Sequence, residues 1–169
     1  MTVRRRVLIA DDHQIVRQGL RALLEKAGHV VVAEAANGRE AVDLAAVHPV
    51  DIAVLDLLMP ILNGVDSARE LVRVAPQTRT ILLTMHADRP YVVEAMQAGA
   101  KGYVLKTQAA EDLVRAIDEV SRGVAQIIFG EDKLSDMNVR LTRIALESYK
   151  ITEVLGHTNG SSKPELAAA

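Results

Sequence analysis

Short apolar runs, most of them followed by polar or acidic residues, recur along the first two thirds of the chain. Five of them, rich in aliphatic and β-branched residues, lie at positions 7–10, 30–33, 52–55, 80–84 and 102–105. No charged residue interrupts any run, which is typical of a strand buried on both faces of a sheet. The pattern therefore predicts five buried strands.

Stretches with helical spacing separate these runs, because apolar residues there recur three or four positions apart. The helices are predicted at about 15–27, 38–47, 65–74, 90–98 and 113–120. Pro90 stands at the start of the fourth, where proline is favoured. The alternation through about Arg122 predicts an α/β fold, a doubly wound five-stranded parallel sheet with helices on both faces.

The composition narrows the class of protein. Apolar residues make up 49% of the 169 positions and charged residues 25%, the balance of a folded globular protein. Without any cysteine, disulfides and thiolate metal sites are excluded. The basic start precedes only four apolar residues, too few for a signal peptide or a membrane span. We therefore expect a cytoplasmic protein that does not enter the membrane.

Polar side chains stand where the predicted strands end. Asp11 and Asp12 follow the first strand, Asp56 follows the third, Thr84 ends the fourth and Lys106 follows the fifth. Ligands of doubly wound sheets bind at this edge. Three carboxylates in one cleft repel one another unless a cation joins them, and oxygen ligands favour Mg²⁺. With a lysine and a hydroxyl to bind phosphoryl oxygens, the set predicts a Mg²⁺ pocket for an aspartyl phosphate.

Each of these residues also has a simpler interpretation. Asp11 and Asp12 could cap the first helix, for which acidic residues are favoured. Lys106 could be a solvated surface lysine, and Tyr103 could be an ordinary core aromatic. The five histidines show no ligand spacing, so the sequence predicts no soft-metal site.

The strand-end residues belong to five short motifs. In chain order these are Asp11-Asp12-His13, Asp56-Leu57-Leu58-Met59-Pro60, Asn63-Gly64, Leu83-Thr84-Met85-His86 and Gly99-Ala100-Lys101-Gly102-Tyr103-Val104-Leu105-Lys106. Over about residues 5–122 the chain resembles the receiver domains of bacterial two-component response regulators, in their NarL/LuxR-type branch. The resemblance implies a flavodoxin-like fold. One motif alone would be weak, but five in the right order are specific.

The resemblance also implies the phosphoryl chemistry. Asp56 would be the nucleophile that takes the phosphoryl group from a phosphohistidine on a sensor histidine kinase. Asp12 and Asp56 would bind Mg²⁺ together with the main-chain carbonyl of Leu58, and Asp11 would bind it directly or through water. Such a chain is a phosphoacceptor that catalyses its own phosphorylation and slow dephosphorylation, and is not otherwise an enzyme.

A conformational switch is implied as well. Lys106 and Thr84 would contact the phosphoryl oxygens, and the movement of Thr84 would let Tyr103 turn inward. The sequence departs from the family at Ile61, where relatives often carry glycine, and at Thr107, where many carry proline. Neither departure removes a chemical group from the predicted pocket.

The end of the chain has a different pattern. We predict a receiver domain at 1–122, a linker with a helix at 123–146, and a further segment at 147–169. The linker helix is predicted from an apolar stripe that runs from Leu134 to Ile144. This stripe would pack on the receiver or on a second copy.

The segment at 147–169 resembles the opening of a LuxR-type helix-turn-helix. Ser148 and Ser162 would cap its helices and Asn159-Gly160 would form the turn, although Pro164 is uncommon there. A divergent or cloning-derived tail is the alternative. In either case no recognition helix follows, so we expect the parent protein, as a dimer, to bind DNA and this chain not to.

Two other functions compete with a phosphorylation-controlled transcription regulator. One is a stand-alone receiver that signals only through protein contacts. The other is a phosphatase with an aspartyl nucleophile at the end of the first strand and a second acid two residues later. Asp11-Asp12-His13 does not fit that spacing.

Overall fold

Strands and helices alternate throughout the computed structural model, which describes residues 3–86, 88–106, 109–123 and 126–128. The strands are β1 (Arg6–Ala10), β2 (Val30–Ala35), β3 (Ile52–Asp56), β4 (Arg79–Thr84), β5 (Gly102–Leu105) and β6 (Gln126–Ile128). The helices are α1 (Gln14–Lys26), α2 (Gly38–Val47), α3 (Gly64–Val74), α4 (Arg89–Gln97) and α5 (Ala109–Ser121). The predicted α/β alternation is confirmed.

The strands form one parallel sheet in the order β2-β1-β3-β4-β5-β6. The chain leaves β1 for β2 on one side and then crosses to β3 on the other, so the strand order reverses between β1 and β3. The five predicted strands are present, and the structure adds β6 beside β5, within the stretch predicted as a linker. Three residues are too few to give a periodic pattern, which is why the sequence did not reveal this strand.

Helices cover the sheet on both faces, as the continuous apolar strands require. Along β1, Val7 and Ile9 belong to one buried cluster, while Leu8 and Ala10 belong to the other. The first cluster includes residues of α1 and α5, and the second includes residues of α2, α3 and α4. The central strands are therefore held rigidly, with their carboxyl ends at one edge.

Asparagines set the start of two helices beside that edge. The side chain of Asn37 accepts a hydrogen bond from Glu40 N at 2.9 Å, and that of Asn63 accepts one from Asp66 N at 2.8 Å. Such caps satisfy main-chain donors that the first turn leaves unpaired. By contrast, α1 begins after His13 without a side-chain cap, so Asp11 does not have the capping role that the sequence left open.

No helix in the described ranges combines the length and the apolar character needed to cross a lipid bilayer. The predicted helix at 134–144 and the predicted helix-turn-helix at 147–169 lie outside the described residues, as does Thr107. The predicted domain boundaries therefore stay predictions.

His29 is a buried histidine at the opposite edge of the sheet from the strand ends. Its Nδ1 accepts a hydrogen bond from Arg5 N at 3.3 Å, and its Nε2 has no hydrogen-bond partner among the described residues. Burial lowers the pKa of His29, the nearby charge of Arg5 lowers it further, and Asp118 opposes both. The folded protein thus favours the neutral imidazole.

We expect acid to destabilise the protein through His29. Because its pKa is lower in the folded state, the unfolded chain binds the extra proton as pH falls below about 6.5. The free energy of unfolding should then fall by up to about 1.4 kcal/mol per pH unit until the folded-state pKa is reached. Urea unfolding between about pH 7.5 and 5.5 measures this, and His29→Asn should flatten the slope. An unchanged slope in His29→Asn would contradict the assignment.

Candidate functional site

The sheet register brings the acidic residues of β1 and β3 together. Ala10 pairs with Leu55 in neighbouring parallel strands, so the next residues, Asp11 and Asp56, stand side by side at the carboxyl edge. Both are buried, with 1% and 8% of their surface exposed. This edge lies at the reversal of strand order, where α/β sheets bind ligands.

Lys106 bridges these two carboxylates from the end of β5. Its Nζ donates to Asp11 Oδ2 at 2.6 Å and lies 3.2 Å from Asp56 Oδ1. The side chain of Lys106 is 17% exposed, so the alternative of a solvated surface lysine does not apply. Residues 95 positions apart are thereby joined in one charged cluster.

The electrostatics of the cluster follow from this arrangement. Burial raises the pKa of Asp56 and the charge of Asp11 adds to that effect, while Lys106 opposes it. Burial alone would lower the pKa of Lys106, but its hydrogen bond to Asp11 and the charge of Asp56 outweigh burial and raise it. Lys106 is therefore charged at neutral pH, and its charge offsets only part of the cost of burying the Asp56 carboxylate.

Asp12 completes the acidic group on the solvent side. Ligand atoms of Asp11, Asp12 and His13 all lie within 4.8 Å of one another. The His13 Nδ1 is 3.1 Å from Asp12 Oδ1 and 3.3 Å from Asp11 Oδ1, and the His13 amide donates to Asp11 Oδ1 at 2.9 Å. The position of His13 at the end of a motif does not show where its ring points, so the sequence did not indicate that His13 belongs to the pocket.

Thr84 and Tyr103 are connected through the main chain of His86. The Thr84 hydroxyl accepts a hydrogen bond from His86 N at 3.1 Å, and the Tyr103 hydroxyl donates to His86 O at 2.6 Å. Both side chains are buried, and burial raises the pKa of Tyr103. Tyr103 thus has the inward position in this structure, and its exchange with an outward position stays a prediction. The His86 ring also packs against Tyr91 on α4, with ring centroids 5.5 Å apart.

The loop after Asp56 passes close to the start of α3. Gly64 N donates to Leu57 O at 2.9 Å, and a Cβ on Gly64 would lie only 2.3 Å from the Asp56 carbonyl oxygen. Only glycine permits this approach, which explains the glycine of the Asn63-Gly64 motif. Leu58, two residues after Asp56, is 55% exposed.

The same loop contains a backbone outlier. Ile61 has φ of 70° and is 80% exposed, and it occupies the position where the resemblance led us to expect glycine. A β-branched residue in the left-handed region is strained by roughly 1–2 kcal/mol. This departure removes no chemical group from the pocket, but it costs folding free energy beside the site.

Replacing Ile61 by glycine should stabilise the protein. Relief of the left-handed strain exceeds the added backbone entropy of glycine, so the free energy of unfolding should rise by roughly 0.5–1 kcal/mol. Thermal and urea unfolding measure the change. Ile61→Val keeps the β-branch and should stay within about 0.5 kcal/mol of the parent. A glycine variant that is less stable than Ile61→Val would show that the backbone is not strained there.

Comparisons with known proteins agree with this geometry. Residues 7–118 match the family described as the response regulator receiver domain. Response regulator UvrY from Escherichia coli K12 is 39% identical over 118 residues, which cover 69% of this chain and 54% of UvrY. Transcriptional regulatory protein PdtaR from Mycobacterium tuberculosis H37Rv is 35% identical over 166 residues, which cover 96% of this chain and 78% of PdtaR.

A solved structure extends the likeness to three dimensions. The two-component response regulator of the LuxR family from Aurantimonas sp. SI85-9A1 superposes with a TM-score of 0.72 at 32% identity, covering 88% of this chain and 99% of that one. The chain spans about half the length of the UvrY proteins that it matches. From the matched residues and the strand-end cluster it follows that the chain belongs to the two-component response regulators, in their NarL/LuxR-type branch, and contains their receiver domain.

Proposed function

We propose that Asp56 accepts a phosphoryl group from the phosphohistidine of a sensor histidine kinase in a Mg²⁺-dependent reaction. The observation that carries the proposal is a charge imbalance: three carboxylates, Asp11, Asp12 and Asp56, meet one ammonium group, Lys106. A divalent cation would neutralise the two negative charges that remain. The phosphoryl group then brings new negative charge to a pocket that already contains a lysine for it.

The donor set fits Mg²⁺. Carboxylate oxygens are its preferred protein ligands, and it commonly keeps waters and uses one or two carboxylates beside phosphate oxygens. Asp12 and Asp56 would hold it together with the Leu58 carbonyl, with Asp11 bound directly or through water. When bound, the cation neutralises charge on the transferring phosphoryl group.

The residues of the chain supply the remaining steps. A carboxylate oxygen of Asp56 forms the new O–P bond as the N–P bond of the phosphohistidine breaks, and the imidazole nitrogen keeps the electron pair. Lys106 moves its contact from the two carboxylates toward a phosphoryl oxygen. Because positioning and charge stabilisation account for most of the catalysis of phosphoryl transfer, no separate acid or base is required.

The hydrogen bonds around His86 support the proposed switch. When the Thr84 hydroxyl turns to donate to a phosphoryl oxygen, it no longer points its oxygen at His86 N. His86 also accepts a hydrogen bond from the Tyr103 hydroxyl and packs on Tyr91. A change in the hydrogen bond of Thr84 is therefore transmitted through His86 to α4 and β5. This is the physical basis for the proposed change of the α4-β5-α5 face, which would alter contacts with an output or with a second copy.

The metal dependence of phosphorylation tests the proposed function. Intact-mass measurement of the chain incubated with acetyl phosphate should show one phosphoryl adduct in Mg²⁺ buffer and none in EDTA. The same sample under native conditions reports whether phosphorylation produces a dimer. Equal labelling with and without Mg²⁺ would contradict the proposed pocket.

Control of transcription is the output that the relatives favour. PdtaR is named a transcriptional regulatory protein, and it aligns with nearly the whole of this chain. For the parent protein we propose a DNA-binding output governed by Asp56. The alternative, a receiver that signals only by protein contact, is supported by the completeness of the sheet within the described residues. Fluorescence anisotropy of the full-length gene product with DNA from the upstream region of the native gene distinguishes the DNA-binding output from signalling by protein contact alone.

A further inference from the structure

Arg17 on α1 reaches back to the peptide that joins the two aspartates of the pocket. Its Nη1 donates to the main-chain carbonyl of Asp11 at 2.7 Å. That carbonyl belongs to the peptide bond between Asp11 and Asp12. The contact therefore fixes the orientation of the peptide plane that connects the two aspartates. The Arg17 side chain is only 18% exposed, which protects the hydrogen bond from water.

Both main-chain polar groups of Asp11, which lie in the two successive peptides after β1, are hydrogen-bonded to other elements. The Asp11 amide donates to Ala35 O at 3.1 Å, and its carbonyl accepts from Arg17. Arg17 is itself held by Glu34 on β2, with Nε 3.7 Å from Oε1. Since Glu34 pairs with Ile9 of β1, the guanidinium is fixed relative to the sheet and not only to its own helix.

We propose that Arg17 is a positioning residue for Mg²⁺ binding, an inference that rests on the proposed function. Asp11 and Asp12 repel each other, and without a restraint on their common peptide the loop would relax so that their carboxylates separate. Groups that orient metal ligands commonly change metal affinity by about 10–100-fold when removed. Arg17 orients the two carboxylates through the peptide that they share, and it does not contact the cation.

The sign of the effect separates positioning from simple electrostatics. Loss of a positive charge near the pocket would by itself strengthen the binding of a cation. Loss of the restraint on the Asp11 peptide weakens binding. A weaker Mg²⁺ affinity after removal of Arg17 is therefore a result that charge alone does not produce.

The chain contains a matched control one helical turn later. Arg21 also pairs with Glu34, at 2.8 Å, but its other ion pair is with Glu25 at 3.0 Å, on the same helix. Arg17→Met and Arg21→Met thus remove the same charge and the same partner, and only the first removes the hydrogen bond to the peptide of the pocket.

Isothermal titration calorimetry with Mg²⁺ alone, with no phosphoryl donor, tests the inference. Arg17→Met should bind Mg²⁺ about tenfold more weakly than the parent, and Arg21→Met should stay within about twofold. Urea unfolding of each variant shows that it is folded; if Arg17→Met is not, Arg17→Lys takes its place. Lysine keeps the charge but cannot reach Glu34 and the carbonyl together, so at least threefold weakening is expected.

The outcomes separate this inference from the function on which it rests. If the parent binds Mg²⁺ and Arg17→Met binds it equally well or more tightly, the positioning role is overturned while the proposed function stands. If the two variants weaken binding equally, the effect comes from the lost ion pair with Glu34, and the inference is again overturned. If the parent itself does not bind Mg²⁺, the proposed function fails first.

Discussion

Asp56→Asn should abolish phosphorylation by acetyl phosphate and at the same time make the protein more stable. An amide oxygen is far less nucleophilic than a carboxylate, so no acyl phosphate forms. Stability should rise because burial raises the pKa of Asp56 in the folded state. An acid with a raised folded-state pKa disfavours folding once pH exceeds its unfolded-state pKa, and the amide removes that penalty at neutral pH.

Two measurements on Asp56→Asn check both halves of this expectation. Intact mass should show no adduct after an incubation that labels the parent fully. Urea unfolding at about pH 7 without Mg²⁺ should show a gain on the order of 1 kcal/mol, because Lys106 keeps Asp11 as its partner while the cost of burying the Asp56 charge is removed. Asp43→Asn, the same change on the exposed face of α2, should alter neither property. A loss of stability in Asp56→Asn would mean that its pairing with Lys106 outweighs its burial.

Lys106→Met should slow phosphorylation by about 100-fold or more and strongly destabilise the metal-free protein. The lysine is the partner of two buried carboxylates, at 2.6 Å and 3.2 Å. Its loss leaves Asp11 and Asp56 without their shared cation, and removal of one partner from a buried ionic group costs about 3–5 kcal/mol. The rate falls because a charge that stabilises the transferring phosphoryl group is missing.

The stability loss in Lys106→Met should depend on Mg²⁺, which distinguishes an electrostatic cause from a packing defect. Saturating Mg²⁺ supplies another cation for Asp11 and Asp56, so it should stabilise the variant more than the parent. The exposed Lys26→Met is the control and should show neither effect. A destabilisation that is equal with and without Mg²⁺ would indicate lost packing. Labelling rates with acetyl phosphate, followed by intact mass, give the kinetic part.

Much of the fold was predictable because the strands are continuous apolar runs and the helices have regular spacing. The predicted helix at 38–47 coincides with α2, and the convergence of Asp11, Asp56 and Lys106 follows from parallel strands that end at one edge. The family-specific motifs then indicated phosphoryl transfer as the chemistry of the site. These features depend on local pattern and on topology, both of which a sequence carries directly.

Features that depend on side-chain direction were not predictable. The sequence placed Lys106 beside the carboxylates, but the short bond of its Nζ to Asp11, with the longer one to Asp56, is visible only in the structure. Arg17 gave no signal, because a polar residue on an amphipathic helix is ordinarily solvated. The strain at Ile61 was also hidden, because a substitution for glycine shows its cost only through φ.

The chemical identity of the phosphorylated residue is the most direct test of the account. Borohydride reduces an aspartyl phosphate to homoserine, so the chain is labelled with acetyl phosphate and Mg²⁺, reduced, digested, and its peptides are sequenced by mass spectrometry. We expect homoserine at position 56 and unmodified aspartate at Asp11 and Asp12. Homoserine at either of those positions, or its absence from a chain that carries a phosphoryl adduct, would contradict the assignment of Asp56 as the phosphoacceptor.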